Sequence, residues 1–377
     1  MRISICCPGR FWLADLGREL LAHGHDIDFH SYVPKDKLEP FGIPRKNQTC
    51  HLPIVAPLVL AQRQLKLPDS ANNTLNSWTR RLLDRRYCSV GANSDVFIGM
   101  SGLCVKSLRA AKNRGSFVIL ERGSMHIEEQ QRVLRSACID PQITQETIER
   151  ELAGYAIADK IVVPSRHVQK SFLSKGFSPE KIVLNQYGVN LAKFQPPSGQ
   201  EKIIKEFDVI NTGTWCRRKG SDRLAKVVLE DLGLRLLHVG PIGDLELPSH
   251  SRFQHHPSVA QNELPKYYSK ASVFALPSHE EGLAMIQAQA LACGLPIVGS
   301  HNSGAADLAE CLGIGTPRIQ VVSPDSSDEL GEAIVRALDW SNSDKNVTEK
   351  VDLEKISWKS YGDRYVRFLA EAQIGAS

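Results

Sequence analysis

The chain is 377 residues long with 42% apolar and 23% charged residues, a make-up that fits roughly two globular domains rather than a disordered chain. A formal charge of +4 is mild; it demands neither nucleic acid nor an anionic membrane, and no nucleic-acid partner is expected. Nine scattered cysteines with no CxxC or zinc spacing fit reduced thiols in a cytoplasmic protein, not a disulfide scaffold.

The opening MRISICCPG lacks the charged start, longer apolar core and cleavage site of a secretory signal, so the Asn-x-Ser/Thr triplets at Asn47, Asn72 and Asn346 are read as chance. Ile3 to Cys7 reads as a first strand, Pro8-Gly9 as its turn, Leu13 to Ala22 as a helix and Ile27 to Val33 as a second strand. Residues 38–75 read as an irregular, Pro-rich surface excursion, in which LPIVAPLVLA (52–61) is too short to span a bilayer. RRLLDRR (80–86) sets Arg80, Arg81, Arg85 and Arg86 on about two turns. It reads either as a solvated face or as a peripheral contact with acidic lipid head groups.

Val96 to Met100 and Phe117 to Leu120 are further strands, separated by a helix from Val105 to Lys112. A helix from Ile148 to Ala158, a strand from Lys160 to Val163, a helix from His167 to Lys175 and a strand from Ile182 to Asn185 close the first half. Such alternation implies a parallel sheet with helices on both faces. GVNLAKFQPP (188–197) interrupts it with Gly, Asn and two prolines, and the linker is expected there, between domains 1–192 and 193–360. A second alternation follows through FDVINTG (207–213), LRLLHVG (234–240), SVFAL (272–276), PIVGS (296–300) and IQVVS (319–323). The fold class is therefore α/β: two Rossmann-like parallel-sheet domains facing a central cleft.

The stretch LPSHEEGLAMIQAQALACGLPIVGS (276–300) reads as strand end, tight turn, helix and strand, with two acids and Gly282 at the helix start. A helix N-terminus offers free N–H groups and positive dipole, which suit a phosphate. Glu280 and Glu281 beside it are acceptors for the hydroxyls of a sugar or ribose. A nucleotide-sugar needs both features within one small site. A second constellation, GTWCRRKG (213–220), places Arg217, Arg218 and Lys219 after the second domain's first strand, where open α/β sheets bind ligands. The alternative for the arginines is a solvated basic turn. A third, ERGSMH (121–126), follows the strand FVIL and sets Arg122 and His126 at the cleft, with Gly9 and Arg10 in the first turn beside them.

Pro277, Ser278, Glu281, Gly282, Leu283, Ala284, Gln289, Ala292, Gly294 and Pro296 resemble, in order and spacing, the signature of family-four retaining glycosyltransferases of the GT-B fold. AIADKIVVPS (156–165), NQYGVNLAKF (185–194), GTWCRRKGSDRL (213–224) and Ile356-Ser357-Trp358 resemble further segments of that family. The resemblance implies a nucleotide-sugar donor in the C-terminal domain, held by Gly213, Thr214, Lys219, Glu281, Gly282, Leu283, Ala284, Met285 and Gln289. Glu281 would contact sugar hydroxyls and Gln289 the ribose, both projecting from one helix face. A glycan or lipid-linked acceptor would bind the N-terminal domain near His126, Arg122, Gly9 and Arg10. Arg218 would supply the guanidinium that the family carries where this chain has Thr214. Ala284 replaces a family glycine, and Gln289 replaces a second glutamate. The family's last helix crosses back onto the N-terminal domain, so residues 361–377 are expected to do the same. No metal or other cofactor is implied, and the expected role is cell-surface polysaccharide biosynthesis. A nucleotide-sugar epimerase, a sugar phosphorylase and a non-catalytic nucleotide-sugar-binding protein are the rival readings.

Asp26-Ile27-Asp28 starts a strand instead of forming a metal site, and His250, His255 and His256 have no Cys or carboxylate at ligand spacing. Neither GxGxxG nor GxSxG occurs, which argues against a dinucleotide dehydrogenase and an α/β-hydrolase elbow.

Overall fold

The computed structural model describes residues 1–64, 69–89, 94–196, 205–343 and 351–374. Seven parallel strands form the first sheet: β1 (Arg2–Cys6), β2 (Asp26–Ser31), β3 (Gln48–Cys50), β4 (Val96–Met100), β5 (Phe117–Glu121), β6 (Lys160–Val163) and β7 (Ile182–Leu184). Their order is β3-β2-β1-β4-β5-β6-β7. Six more form the second: β8 (Phe207–Thr212), β9 (Leu236–Val239), β10 (Phe253–His256), β11 (Ala271–Leu276), β12 (Ile297–Ser300) and β13 (Ile319–Val322), ordered β10-β9-β8-β11-β12-β13. Central strands such as β11, ASVFAL, are buried at every position, because helices cover both faces of a parallel sheet. Each sheet reverses its order beside its first strand, and such switch points open a crevice at the carboxyl ends of the strands.

The stretch 38–75 departs from expectation. It holds two 3₁₀ turns, β3 and a helix from Leu52 to Gln64, followed by a helix from Asp69 to Tyr87. Pro53 sits in the first turn of the former, where a missing N–H removes no intrahelical bond. Pro57 lies one turn further in, and the bond it deletes points back to that first turn. A proline count therefore overstated the irregularity. Of the four arginines at 80–86, Arg81 pairs with Glu146 at 2.7 Å, and Arg85 and Arg86 are exposed.

Two chain crossings join the domains side by side. Val189 and Ser357 form an isolated parallel bridge, and the Val189 N–H donates to the Ile356 carbonyl at 2.8 Å. The final helix, Trp358–Ile374, then lies on the first domain, burying Tyr361, Tyr365 and Leu369 in its core. The Tyr365 hydroxyl donates to Glu121 at 2.8 Å, and Arg364 donates to the Asn185 side chain at 2.9 Å. Residue 197 of the expected linker and residues 375–377 of the expected crossing lie outside the described residues. No described helix is long and apolar enough to cross a membrane.

Candidate functional site

Two turns at the carboxyl end of the second sheet build the site by locking together. After β8, the backbone swings through Gly213 at φ 106° and a 3₁₀ turn, Arg217–Lys219, that ends at Gly220 with φ 69°. That left-handed conformation favours glycine, and a Cβ at Gly220 would also sit 2.4 Å from the Pro277 carbonyl oxygen. Close approach lets the Arg223 guanidinium donate to Pro277 O at 2.9 Å and the His279 N–H donate to Arg218 O at 2.9 Å.

Lys219, Arg218, Glu281 and Glu280 meet where the turns touch. The Lys219 ammonium lies 2.7 Å from Glu281 Oε1, and Arg218 Nη1 reaches the same oxygen at 3.0 Å. Burial alone would push the Glu281 carboxyl up, but Lys219 and Arg218 hold it below the usual carboxylate range. Burial opposes the Arg218 charge too, and Glu281 and Glu280 reverse that effect and raise its pKa. Two cations share one Glu281 oxygen, and Arg218 Nη1 also lies 3.6 Å from Glu280 Oε2, so two cations face two carboxylates. Gly213 borders it: a Cβ there would lie 3.5 Å from Lys219 Nζ and 3.7 Å from Ile286.

The helix that follows begins at Met285, not at the glutamates. Glu281 therefore lies in the turn before it, and the expectation that Glu281 and Gln289 project from one helix face is corrected. Gln289 is one turn beyond Ile286 and so shares its stripe toward Gly213 and Lys219. It is 6% exposed, and its Oε1 has no hydrogen-bond partner among the described residues. The N–H groups of Glu281 and Ala284 donate to the carbonyls of Asn302 and Ser303, which removes them as ligands for a phosphate. First-turn amides at Met285 and Ile286 have no intrahelical acceptor. Thr214 packs its methyl group toward Gly243.

The turn also carries the second domain onto the first. A Cβ at Gly282 would lie 1.8 Å from the Gly123 carbonyl oxygen, and Ser165 Oγ donates to Gly282 O at 2.7 Å. His167 Nε2 lies 2.8 Å from Glu281 O. Leu283 enters the first domain's core beside Tyr187 and Trp358, and Met285 packs against that cluster. Glu280, 2% exposed, takes the Ser124 hydroxyl on one oxygen and Gln130 Nε2 at 3.2 Å on the other. Glu280 is thus committed between the domains, not offered to a sugar hydroxyl.

Two residues expected to meet an acceptor have their side chains engaged within the first domain. Arg122, 8% exposed, is consumed by Glu151 at 2.7 Å, the Met125 carbonyl and Gln130. His126, 2% exposed, caps the helix Ile127–Ser136 and packs among Tyr155, Phe172 and Phe177. Burial pushes its imidazole down to about 4. Its ring belongs to a core and does not reach the Lys219–Glu281 cluster by any described contact. Arg10 lies over the Phe41 ring at 5.0 Å, and Gly9 accepts from the Cys7 thiol. Phe11, unmentioned by any motif, is 51% exposed in the first turn with a strained φ of 39°. Ser165 and His167 were also missed, because only the folded chain brings them to the turn at Gly282. His255 pairs with His238 at 2.9 Å, and His238 Nε2 lies 2.8 Å from the Gly213 carbonyl.

Residues 206–339, which hold this loop and turn, match the family Glycosyl transferases group 1. Over that stretch the chain is similar to the group 1 glycosyl transferases. The chain is 27% identical over 177 residues to a GDP-mannose-dependent alpha-(1-6)-phosphatidylinositol monomannoside mannosyltransferase of Mycolicibacterium smegmatis, covering 39% of this chain and 46% of that protein. The chain thus spans about half the length of the curated relatives it matches. The sucrose-phosphate synthase of Thermosynechococcus elongatus superposes with a TM-score of 0.68 at 17% identity, over 100% of both chains. Anabaena HepE in complex with UDP-glucose superposes at 0.65 with 13% identity, over 98% of this chain and 100% of that one. The fold shared with these structures is GT-B.

Proposed function

We propose that this chain is a retaining glycosyltransferase that moves a hexose-type sugar from a nucleotide-sugar to a hydroxyl of a glycan or lipid-linked acceptor. The observation that carries it is the convergence of Arg218, Lys219 and Glu281 at the carboxyl ends of β8 and β11. As the bond from the sugar's anomeric carbon to the diphosphate breaks, its electron pair leaves with the phosphate oxygen. Lys219 and Arg218 stabilise that developing charge, a role that needs no metal ion in this reading. The acceptor hydroxyl oxygen bonds to the anomeric carbon, and its proton passes to the departing phosphate.

Both cations take Glu281 Oε1, which leaves Oε2 to accept from the sugar's hydroxyls. Gln289 Oε1 would take a ribose hydroxyl and gain the partner it lacks. Support for the donor class comes from the Anabaena neighbour, whose complex contains UDP-glucose. A phosphatidylinositol mannoside appears in the mycobacterial relative's name, and this supports a lipid-linked or glycan acceptor and a role in cell-surface polysaccharide synthesis, with the protein cytoplasmic or at the membrane face. Arg85 and Arg86, exposed on their helix, would serve a peripheral membrane contact; Arg81 is already paired with Glu146.

The test is Lys219→Ala. Calorimetry should show UDP or GDP binding to the native chain, and the variant should release nucleotide from the matching sugar donor about 10²-fold more slowly. Equal turnover and equal nucleotide affinity in both proteins would overturn the assignment.

A further inference from the structure

The N-terminal domain contains a polar cavity of about 370 Å³, separate from the donor cluster. Pro8 and Tyr32 line it from the carboxyl ends of β1 and β2, so it opens on the side where the two domains meet. Thr79 and Arg80 enter it from the helix Asp69–Tyr87, and Thr147 from the helix Gln145–Ile157.

Two of these groups are left incomplete. Thr79 is 8% exposed, and its hydroxyl is buried with no partner among the described residues; Arg80 Nε is in the same state. The surrounding charges explain why. Arg81 takes Glu146 at 2.7 Å, Arg150 takes Asp84 at 2.9 Å and Arg122 takes Glu151 at 2.7 Å. Four guanidiniums face three carboxylates, and Arg80 is the one with no ion pair among the described residues. Burial, and after it the charge of Arg150, lower its pKa from the ordinary arginine value, and the opposing pull of Glu146 and Glu151 does not offset them. Arg80 is half-buried with its Nε enclosed, and an anionic ligand would give that atom and the Thr79 hydroxyl the partners they lack.

We propose that this cavity binds the phosphate of a phosphorylated sugar or polyol, with Arg80 as its charge partner and Thr79 donating a hydroxyl. That the ligand is the glycosyl acceptor rests on the transferase reading; that the cavity takes an anion does not. From Glu151, whose charge acts on Arg80, a chain of contacts runs to the donor cluster. Glu151 holds Arg122, Arg122 holds Gln130, and Gln130 donates to Glu280 beside Arg218. The hydroxyls of a polyol anchored by its phosphate would then extend toward the donor side. Such a phosphate ester belongs either to a soluble sugar phosphate or to an inositol lipid head group.

The experiment is calorimetry of the full chain with glucose 6-phosphate, glucose and inorganic phosphate, each with and without saturating UDP. Flotation on vesicles with and without phosphatidylinositol adds the lipid arm. Glucose 6-phosphate or phosphatidylinositol vesicles should bind, and glucose should bind at least about tenfold more weakly than glucose 6-phosphate. Arg80→Gln should weaken binding at least about tenfold and Thr79→Val about threefold, while Arg109→Gln, exposed and outside the cavity lining, leaves binding unchanged. UDP affinity should be equal in all three variants, which also reports that they fold. A soluble ester alone, or vesicles alone, binding through Arg80 identifies the source. Arg80→Gln binding as tightly as the native chain, or neither probe binding at all, overturns the proposal. Loss of UDP binding in the native chain would sink the donor reading instead, and the Arg80 comparison would still judge the cavity.

Discussion

Glu121 is a carboxyl closed in by three elements. It ends β5, accepts from Trp12 Nε1 at 2.9 Å on the first helix and from Tyr365 on the last, and is 1% exposed. Burial raises its pKa from 4.5 to about 7, against the lowering effect of the Trp12 and Tyr365 hydrogen bonds. A folded-state pKa above the unfolded one means that the native chain holds the proton more tightly. Glu121 therefore favours folding fully below pH 4.5 and loses that contribution as pH rises through about 7. Glu121→Gln should flatten this part of the pH profile, a difference on the order of 3 kcal/mol between pH 4.5 and pH 8. Denaturant melts of both proteins across that window check it; parallel profiles would refute the burial argument. Gln289→Ala should weaken nucleotide binding about 3- to 30-fold, while Gln289→Glu should keep or improve it, as read by calorimetry. Individual residues were legible where chemistry or backbone geometry dictates type: Lys219, Gly220, Glu281 and Gly282 stand out in the sequence. His126 was not. Its role depends on Phe172 and Phe177, some fifty positions away in the chain, and a histidine's neighbours are invisible in a linear motif.

Elements such as β11 and the helix after it could be read from sequence because each is mostly apolar and ends at a Pro or Gly signal, Pro277 after the strand and Gly294 just past the helix. The helix Leu52–Gln64 could not, because its helix-breaking residues occupy the first two turns, where tertiary packing tolerates them. The boundary at Met285 mattered most for function, since it moved Glu281 from a helix face into a turn. That turn makes a demand on side-chain size. Gly282→Ala would drive a Cβ into the Gly123 carbonyl oxygen, 1.8 Å away, so the two domains must part. Turnover should fall about 10²-fold, as expected for a displacement near 1 Å at reacting groups, with UDP affinity changed less than about threefold. Nucleotide release set beside UDP calorimetry decides it; full activity would mean that the domains need not meet at this point.

At the scale of the whole molecule, the two alternations of strand and helix gave away both sheets. The contacts between domains did not show in the sequence, since Ser124, Gln130, Ser165 and His167 are ordinary residues until the fold sets them opposite Glu280 to Gly282. The crossings are equally hidden. Gly188 packs so closely that a Cβ would lie 2.5 Å from the Trp358 backbone, and Gly188→Ala should loosen the final helix and lower the melting temperature by several degrees, about 2–4 °C per kcal/mol lost. An unchanged melting curve would show that the contact has slack. Because Val189 and Ser357 run as one paired seam, the protein is bound along a spine, like a book. Two chain segments bridged at that one point resist sliding past each other, so opening is expected to be a rotation about the crossing. A pair of spin labels, one on each domain, should then report that rotation as a change in a single distance, and any ligand that moves the distribution would have acted on the rotation.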